Sequence, residues 1–388
     1  MKKSFFLIGA TVWVIIAVAA LTLLIASMSG GKLSANLPNW MRFGSVANIF
    51  DANTTLLKEE TFSLSDISEL DVSTQYQSIR ITLISGNEMT VRHYDIDSAA
   101  PFSGQAAGGA LKISIPRRND VSINMANPRL EIDLPGRYAT VLKLESTSGS
   151  IDFEGYPEFT SLALSSSSGA IRLEDGAACR ELNVRTGSGS ISMGNLYAGT
   201  LSFSSSSGTL RLEEVSSAGD VTLITTSGSI NSKNIVASNL RIQSSSGVIR
   251  IGNVDSISRV DISTSSGSHN VGFVKAEMYN ISAISGTLRY DGLSGAGRLD
   301  STSGSIDCEA LDVKGNVTIS SLSGTKRITL APDQNFDIKI STTSGTIRAA
   351  DFALFYSDNR GKNAFGTVGD GSAGTLNIQS TSGSISID

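Results

Sequence analysis

Eight carboxylates near a repeated Ser-Gly dipeptide are the first candidates for chemistry in this chain: Asp152, Glu154, Glu174, Asp175, Glu213, Glu214, Asp307 and Glu309. Glycan hydrolysis would need two such groups held across one scissile bond as acid and base or nucleophile. These eight are instead distributed over many repeats, and they read as solvated faces and loop ends. Only two histidines, His93 and His269, and two cysteines, Cys179 and Cys308, are present, and no Ser-His-Asp or metal-ligand spacing can be assembled from them. Cys308 occupies a position that other repeats give to Ile, Leu or Phe, so it reads as a small buried thiol. A lone GDG at 369–371 lacks the glycine-rich nonapeptides of calcium-binding solenoids. No catalytic residue, metal ligand or cofactor is assigned, and the chain reads as a non-enzyme.

A second chemistry, polyanion binding, is carried by one recurring position. Three residues after successive Ser-Gly glycines stand Asp152, Arg172, Ser192, Arg211, Asn231, Arg250, Asn270, Arg289, Asp307, Arg327, Arg348 and Ser386. Arginine returns at every second repeat through Arg289. Guanidinium forks bind phosphate and carboxylate in bidentate fashion, so a stripe of Arg172, Arg211, Arg250, Arg289, Arg327 and Arg348 could clamp a wall phosphate polymer or an acidic polysaccharide. The alternative is purely structural: small polar residues separate the arginines to limit repulsion within a stacked ladder.

Both readings require elements that stack the repeats in register. The corner glycines are Gly149, Gly169, Gly189, Gly208, Gly228, Gly247, Gly267, Gly286, Gly304, Gly324, Gly345 and Gly383, each preceded by serine. Apolar residues stand seven and five before the glycine (Leu162 and Leu164, Leu182 and Val184) and two and four after it (Ile171 and Leu173, Ile191 and Met193). A period of two marks strands with one apolar face. Units this short cannot bury that face alone, so equivalent strands must stack in parallel as an all-β, single-stranded β-helix. The expectation is about 12 coils of about 20 residues, at about 4.8 Å per coil. Glycine at the corner would supply positive φ, and stacked Ser and Thr would hydrogen-bond from coil to coil. His269 and Lys326 fall on inward positions, and a local distortion or an outward flip at a bulge would accommodate them.

Residues 137–388 are assigned to the solenoid and 56–136 to an amino-terminal cap of less regular strands. The segment 350–374, where the spacing of corner glycines jumps, reads as a terminal cap or loop insertion. Stopping on STSGSISID would leave a complete coil edge to be covered. Ahead of these, Ser4 to Gly31 contains no charged residue and has membrane-spanning length, longer than the apolar core of a signal peptide. Residues 1–31 are therefore read as a cytoplasmic stub and one retained transmembrane helix, with Lys2 and Lys3 inside and the solenoid extracytoplasmic. Residues 32–55 would be a juxtamembrane linker, with Trp40 and Phe43 at the lipid interface or in local packing. A net charge of −5, from 31 basic and 36 acidic residues, gives no nucleic-acid footprint.

The lead-in ISELDVSTQYQSIRITLISGNEMTVRHY, the repeated SGxI units and the closing GDGSAGTLNIQSTSGSISI resemble a bacterial β-strand-repeat family of unknown function whose members often carry the adhesin label. That resemblance spans about residues 60–388. It implies a right-handed β-helix, a bacterial membrane location and, in some members, a context of envelope stress, and it supplies no catalytic motif. The expected function is binding, adhesion or scaffolding at the bacterial cell envelope, through an anionic polymer or an envelope protein. The alternatives are a regulatory component of an envelope-stress system acting through protein contacts, and a carbohydrate-active β-helix enzyme.

Overall fold

The computed structural model describes residues 54–96, 99–116, 127–138, 140–350 and 353–388. The expected transmembrane helix and nearly all of the linker lie outside the described residues. Among the described residues no helix is long and apolar enough to cross a membrane.

Alternation of apolar and polar side chains extends through the described chain, and all of its regular structure is strand, joined into one continuous hydrogen-bonded system. Strands that enter the Ser-Gly corner form one wall. Glu158–Ser166 pairs in parallel with Val141–Ser146 on one side and Ala177–Thr186 on the other, which sets Leu142, Leu162 and Leu182 in register. Strands that leave the corner form a second wall, where Ile151, Ile171 and Ile191 are in register. Each of these six side chains is buried. Burial of a Leu or Ile stabilises the fold by roughly 1.5–3 kcal/mol, so repetition of one inward column is the principal source of stability. The result is a parallel β-solenoid of about ten turns. Ten corners, Gly149 through Gly324, stack in the order in which the chain makes them.

The expectation of twelve successive coils fails at the last two, which trade places. The strand Thr375–Ser382 pairs on one side with Ile306–Ser323 and on the other with Phe336–Thr342. Ile385–Ile387 likewise lies between Lys326–Leu330 and Ile347–Ala349. STSGSISID is thus an interior coil, and its edges are covered by the chain that precedes it. The outermost strand, Phe336–Thr342, is closed by antiparallel Asn363–Val368, which in turn pairs with Phe355–Tyr356. The amino end is built the same way. Ala110–Ser114 and Arg129–Pro135 stack outside Glu69–Thr74 and Ser78–Ile84, which pair with the first regular coil. Antiparallel strands Ser103–Ala107, Glu88–Asp95 and Thr55–Ser63 then cover that end. Antiparallel closure replaces an open parallel edge with a short, twisted one, which limits pairing with other chains.

The corner glycines serve a purpose other than the one their sequence context suggests. Only Gly286, Gly324 and Gly383 among the twelve have positive φ. What all of them share is proximity: a Cβ on Gly169 would lie 2.0 Å from the Gly149 carbonyl oxygen, and one on Gly189 would lie 1.9 Å from that of Gly169. Glycine is needed because successive corners stack backbone on backbone. In the regular corners the hydroxyl three residues earlier accepts from the glycine N–H, as in Ser166 with Gly169 at 2.8 Å and Ser146 with Gly149 at 2.9 Å. The same hydroxyl can donate to the corner below, as Ser166 Oγ does to the Gly149 carbonyl at 3.2 Å.

Candidate functional site

The outward column on the second wall is assembled by strand register. Arg172 lies between Asp152 and Ser192, Arg211 between Ser192 and Asn231, and Arg250 between Asn231 and Asn270. Arg289 lies between Asn270 and Asp307. Exchange of the last two coils decides the rest: Ser386 enters between Arg327 and Arg348, two residues that follow each other in repeat order. Alternation that breaks in the sequence is therefore complete in the fold. It also extends beyond the repeats, because Arg80 pairs with Asp152 and Glu131, and Glu131 pairs with Arg92. Eight arginines thus occupy every second rung, about 9.6 Å apart.

Electrostatics divide this column. Toward the amino end the charges are answered: Arg92 by Asp133 at 2.8 Å and Glu59 at 3.5 Å, Arg80 by Glu154 at 4.0 Å and Arg172 by Asp152 at 2.9 Å. Arg289 meets Glu309 at 2.7 Å. Among the described residues Arg211, Arg250, Arg327 and Arg348 form no ion pair, and all four are exposed. Arg211 and Arg250 are moreover flanked by Ser192, Asn231 and Asn270, which carry no charge. An exposed guanidinium with no internal acceptor retains its five donors for an external anion.

A surface depression of about 610 Å³ opens beside these two arginines. Its floor is bare because Gly252 and Gly272 occupy a position that neighbouring rungs give to Lys233 and Asp291. The far side carries a fixed ladder. Asn234 Nδ2 donates to both Glu214 carboxylate oxygens at 2.9 and 3.0 Å, Asn253 Nδ2 donates to Asn234 Oδ1 at 3.0 Å, and the Phe273 N–H donates to Asn253 Oδ1 at 3.3 Å. Phe273 is 58% exposed. A Cβ on Gly292 would come within 2.5 Å of its ring, so the ring lies against bare backbone.

Most of the carboxylates considered for catalysis are engaged elsewhere, and Glu174 is exposed with no partner among the described residues. Glu213 pairs with Lys233, Glu309 with Arg289, Glu154 with Arg80 and Asp152 with Arg172, while Asp175 accepts from the Gly155 N–H at 3.1 Å. Asp307 is set between Arg289 and Arg327. Among the described residues no cluster of three or more His, Cys, Asp or Glu side chains could hold a metal ion.

The two residues that break the inward pattern neither flip outward nor sit on a bulge. His269 is 1% exposed, with Nε2 3.1 Å from Thr264 Oγ1 and Nδ1 2.8 Å from the Tyr290 hydroxyl. Burial lowers its pKa to about 4. Lys326 is fully buried, and its Nζ donates to Ser321 Oγ and, at 2.9 Å, to Ser380 Oγ. Burial lowers its pKa to about 8. Internal partners make the inward placement tolerable, since a buried donor without an acceptor is costly. Positive φ occurs at Gly324 and Gly383, whose capping serines are held by Lys326, and at Gly286, where Ala283 has no hydroxyl to offer. Cys308 is buried and Cys179 half-buried, both as free thiols whose pKa burial pushes up to about 12. In the amino-terminal cap, His93 lies buried 3.6 Å from Asp95.

Fold and surface together define a capped parallel β-solenoid with one continuous outward arginine column. The chain belongs to the Toastrack DUF4097 family, whose profile matches residues 67–283 and 200–388. Similar solved structures include a candidate cell-adhesion protein from Clostridium sporogenes, 11% identical, covering 85% of this chain and 98% of its own, with a TM-score of 0.20. A candidate adhesin from Parabacteroides distasonis is 12% identical over 68% of this chain and 96% of its own, with a TM-score of 0.34. Another from Bacteroides fragilis is 10% identical over 85% of this chain and 96% of its own, with a TM-score of 0.20. Likeness at this level carries no argument about binding. None of the curated proteins matches the chain.

Proposed function

We infer that the protein is an adhesin-like binding or scaffold protein of the bacterial cell envelope, anchored by residues 1–31, whose arginine column engages anionic polymers. The observation that supports this most is the alternation of arginine along one outward column, completed by exchange of the last two coils. A core requires no such regularity at a solvent-facing position. Arginines set about 9.6 Å apart repel one another weakly across water while presenting forks to one extended ligand. Neutral spacers around Arg211 and Arg250 favour an external partner over internal pairing. Neutral spacers would also limit repulsion in a purely structural ladder; what favours a ligand is that Arg211 and Arg250 are exposed and, unlike Arg92 and Arg172, meet no acid among the described residues.

The test is co-sedimentation of the full chain, in detergent, with purified anionic envelope polymers. Wild type is expected to be retained, and retention is expected to drop at least ten-fold when Arg211, Arg250 and Arg289 are replaced by glutamine. Unchanged retention would refute the reading. Capture of one envelope protein without polymer would favour the regulatory alternative.

A further inference from the structure

The depression beside Arg211 and Arg250 has features that a simple polyanion does not use. Phe273 is an exposed aromatic ring whose Cδ1–Cε1 edge lies against the bare backbone of Gly292, and an apolar ring face complements the C–H face of a pyranose. A polyphosphate has no such face. Asn231 and Asn270 alternate with the arginines, and among the described residues their side-chain amides make no hydrogen bond. Each can donate and accept, as recognition of hydroxyl or acetamido groups requires. Asn253 is committed to Asn234 and to the Phe273 N–H, so it fixes the aromatic wall. The Glu213–Lys233 pair and Asp291 also border the depression, and the bare backbone of Gly252 and Gly272 makes its floor.

Geometry adds a constraint. Each sugar of an extended β-linked glycan advances by close to one rung of a parallel sheet, about 4.8 Å. Arginine on every second rung therefore meets a carboxylate on every second sugar, and the intervening asparagine meets a neutral one. From these observations, and resting on the polyanion reading above, we propose that the depression is a subsite for an extended β-linked glycan that carries one carboxylate per disaccharide. Arg211 and Arg250 hold successive carboxylates, Asn231 binds the neutral sugar between them and Asn270 the one beyond Arg250, and Phe273 stacks on a pyranose face.

Three probes separate this from its neighbours: a hyaluronan octasaccharide, a β-linked polymannuronate oligomer of equal length and a polyphosphate of similar extent, each titrated calorimetrically into the full chain in detergent. Hyaluronan is expected to bind at least ten-fold more tightly than polymannuronate, which offers asparagine no acetamido group. Phe273→Ala should weaken hyaluronan about ten-fold and leave polyphosphate unchanged, and Phe273→Tyr should restore binding. Arg250→Gln should weaken both. The glycan assignment is overturned if polyphosphate binds as tightly as hyaluronan, or if Phe273→Ala affects both ligands alike; the polyanion reading survives either result. Failure of all three probes to bind overturns both.

Discussion

Replacement of Lys326 by methionine should stabilise the protein at neutral pH, and the gain should vanish in alkali. The ammonium is enclosed in a column otherwise filled by Ile306 and Ile385, directly below and above it. Its pKa falls to about 8, against an ordinary lysine value near 10.4, because burial disfavours the charged form. Below pH 8 both folded and unfolded chains hold the proton, so the whole cost of burying the charge is present. Between pH 8 and 10.4 the unfolded chain binds more protons than the folded one, so stability rises with pH across that window. A difference of roughly 2.4 units at about 1.36 kcal/mol each makes this cost about 3 kcal/mol. Methionine fills a similar volume without charge and releases Ser321 and Ser380 to cap the N–H groups of Gly324 and Gly383, as Ser166 caps Gly169. Loss of the two lysine bonds offsets part of the gain, at about 1 kcal/mol each. Urea denaturation at pH 7 should therefore place the variant about 1–3 kcal/mol above wild type, with the difference closing by pH 10.5. A variant less stable than wild type at pH 7, or a pH-independent difference, would refute the argument.

Other predictions follow from the same geometry. Gly189→Ala places a methyl 1.9 Å from the Gly169 carbonyl oxygen and should cost more than about 4 kcal/mol, measured by chemical denaturation. Ser166→Ala removes the acceptor of the Gly169 N–H and should cost about 1–3 kcal/mol in the same assay. His269 contributes a pH dependence of defined sign: its pKa of about 4 in the fold lies below the ordinary value near 6.5, so stability is fully present above pH 6.5 and falls by about 3 kcal/mol as pH drops toward 4. His269→Leu should remove that portion of the acid slope. Deletion of residues 375–388 takes out an interior coil and should lower the melting temperature sharply, whereas loss of an outermost strand would be milder.

Much of the solenoid was legible because one rung predicts the next. Inward columns such as Ile151, Ile171 and Ile191 repeat at fixed offsets from the corner, and strand register follows from those offsets alone. Stacking order at the ends was not legible. The coil that ends in Ile385 and Ile387 presents the same inward residues wherever it is placed, so its offsets are the same for an interior coil as for an edge. The reason for corner glycine was also hidden, because a sharp turn and a close backbone approach select the same residue; only three of the twelve need the positive φ. His269 and Lys326 were recognisable as inward pattern breakers, but their partners, Tyr290 and Ser380, come from neighbouring rungs. The six repeat arginines were readable as a stripe. Arg80 and Arg92 were not, since they lie ahead of the Ser-Gly repeats and join the column only through pairing. Gly252, Gly272 and Phe273 carry their signal at the fifth and sixth residues after the corner glycine, outward positions that no apolar periodicity marks.

Position on the second wall, rather than charge as such, is the central claim. Its most direct test compares two triple variants of the full chain for affinity to one anionic polymer at fixed ionic strength. One replaces Arg211, Arg250 and Arg289 by glutamine; the other replaces Arg185, Arg241 and Arg259, exposed on the wall that enters the corner. Both remove three positive charges. The account predicts at least a ten-fold loss for the first and less than a two-fold change for the second. Equal loss in both, or none in either, would contradict it.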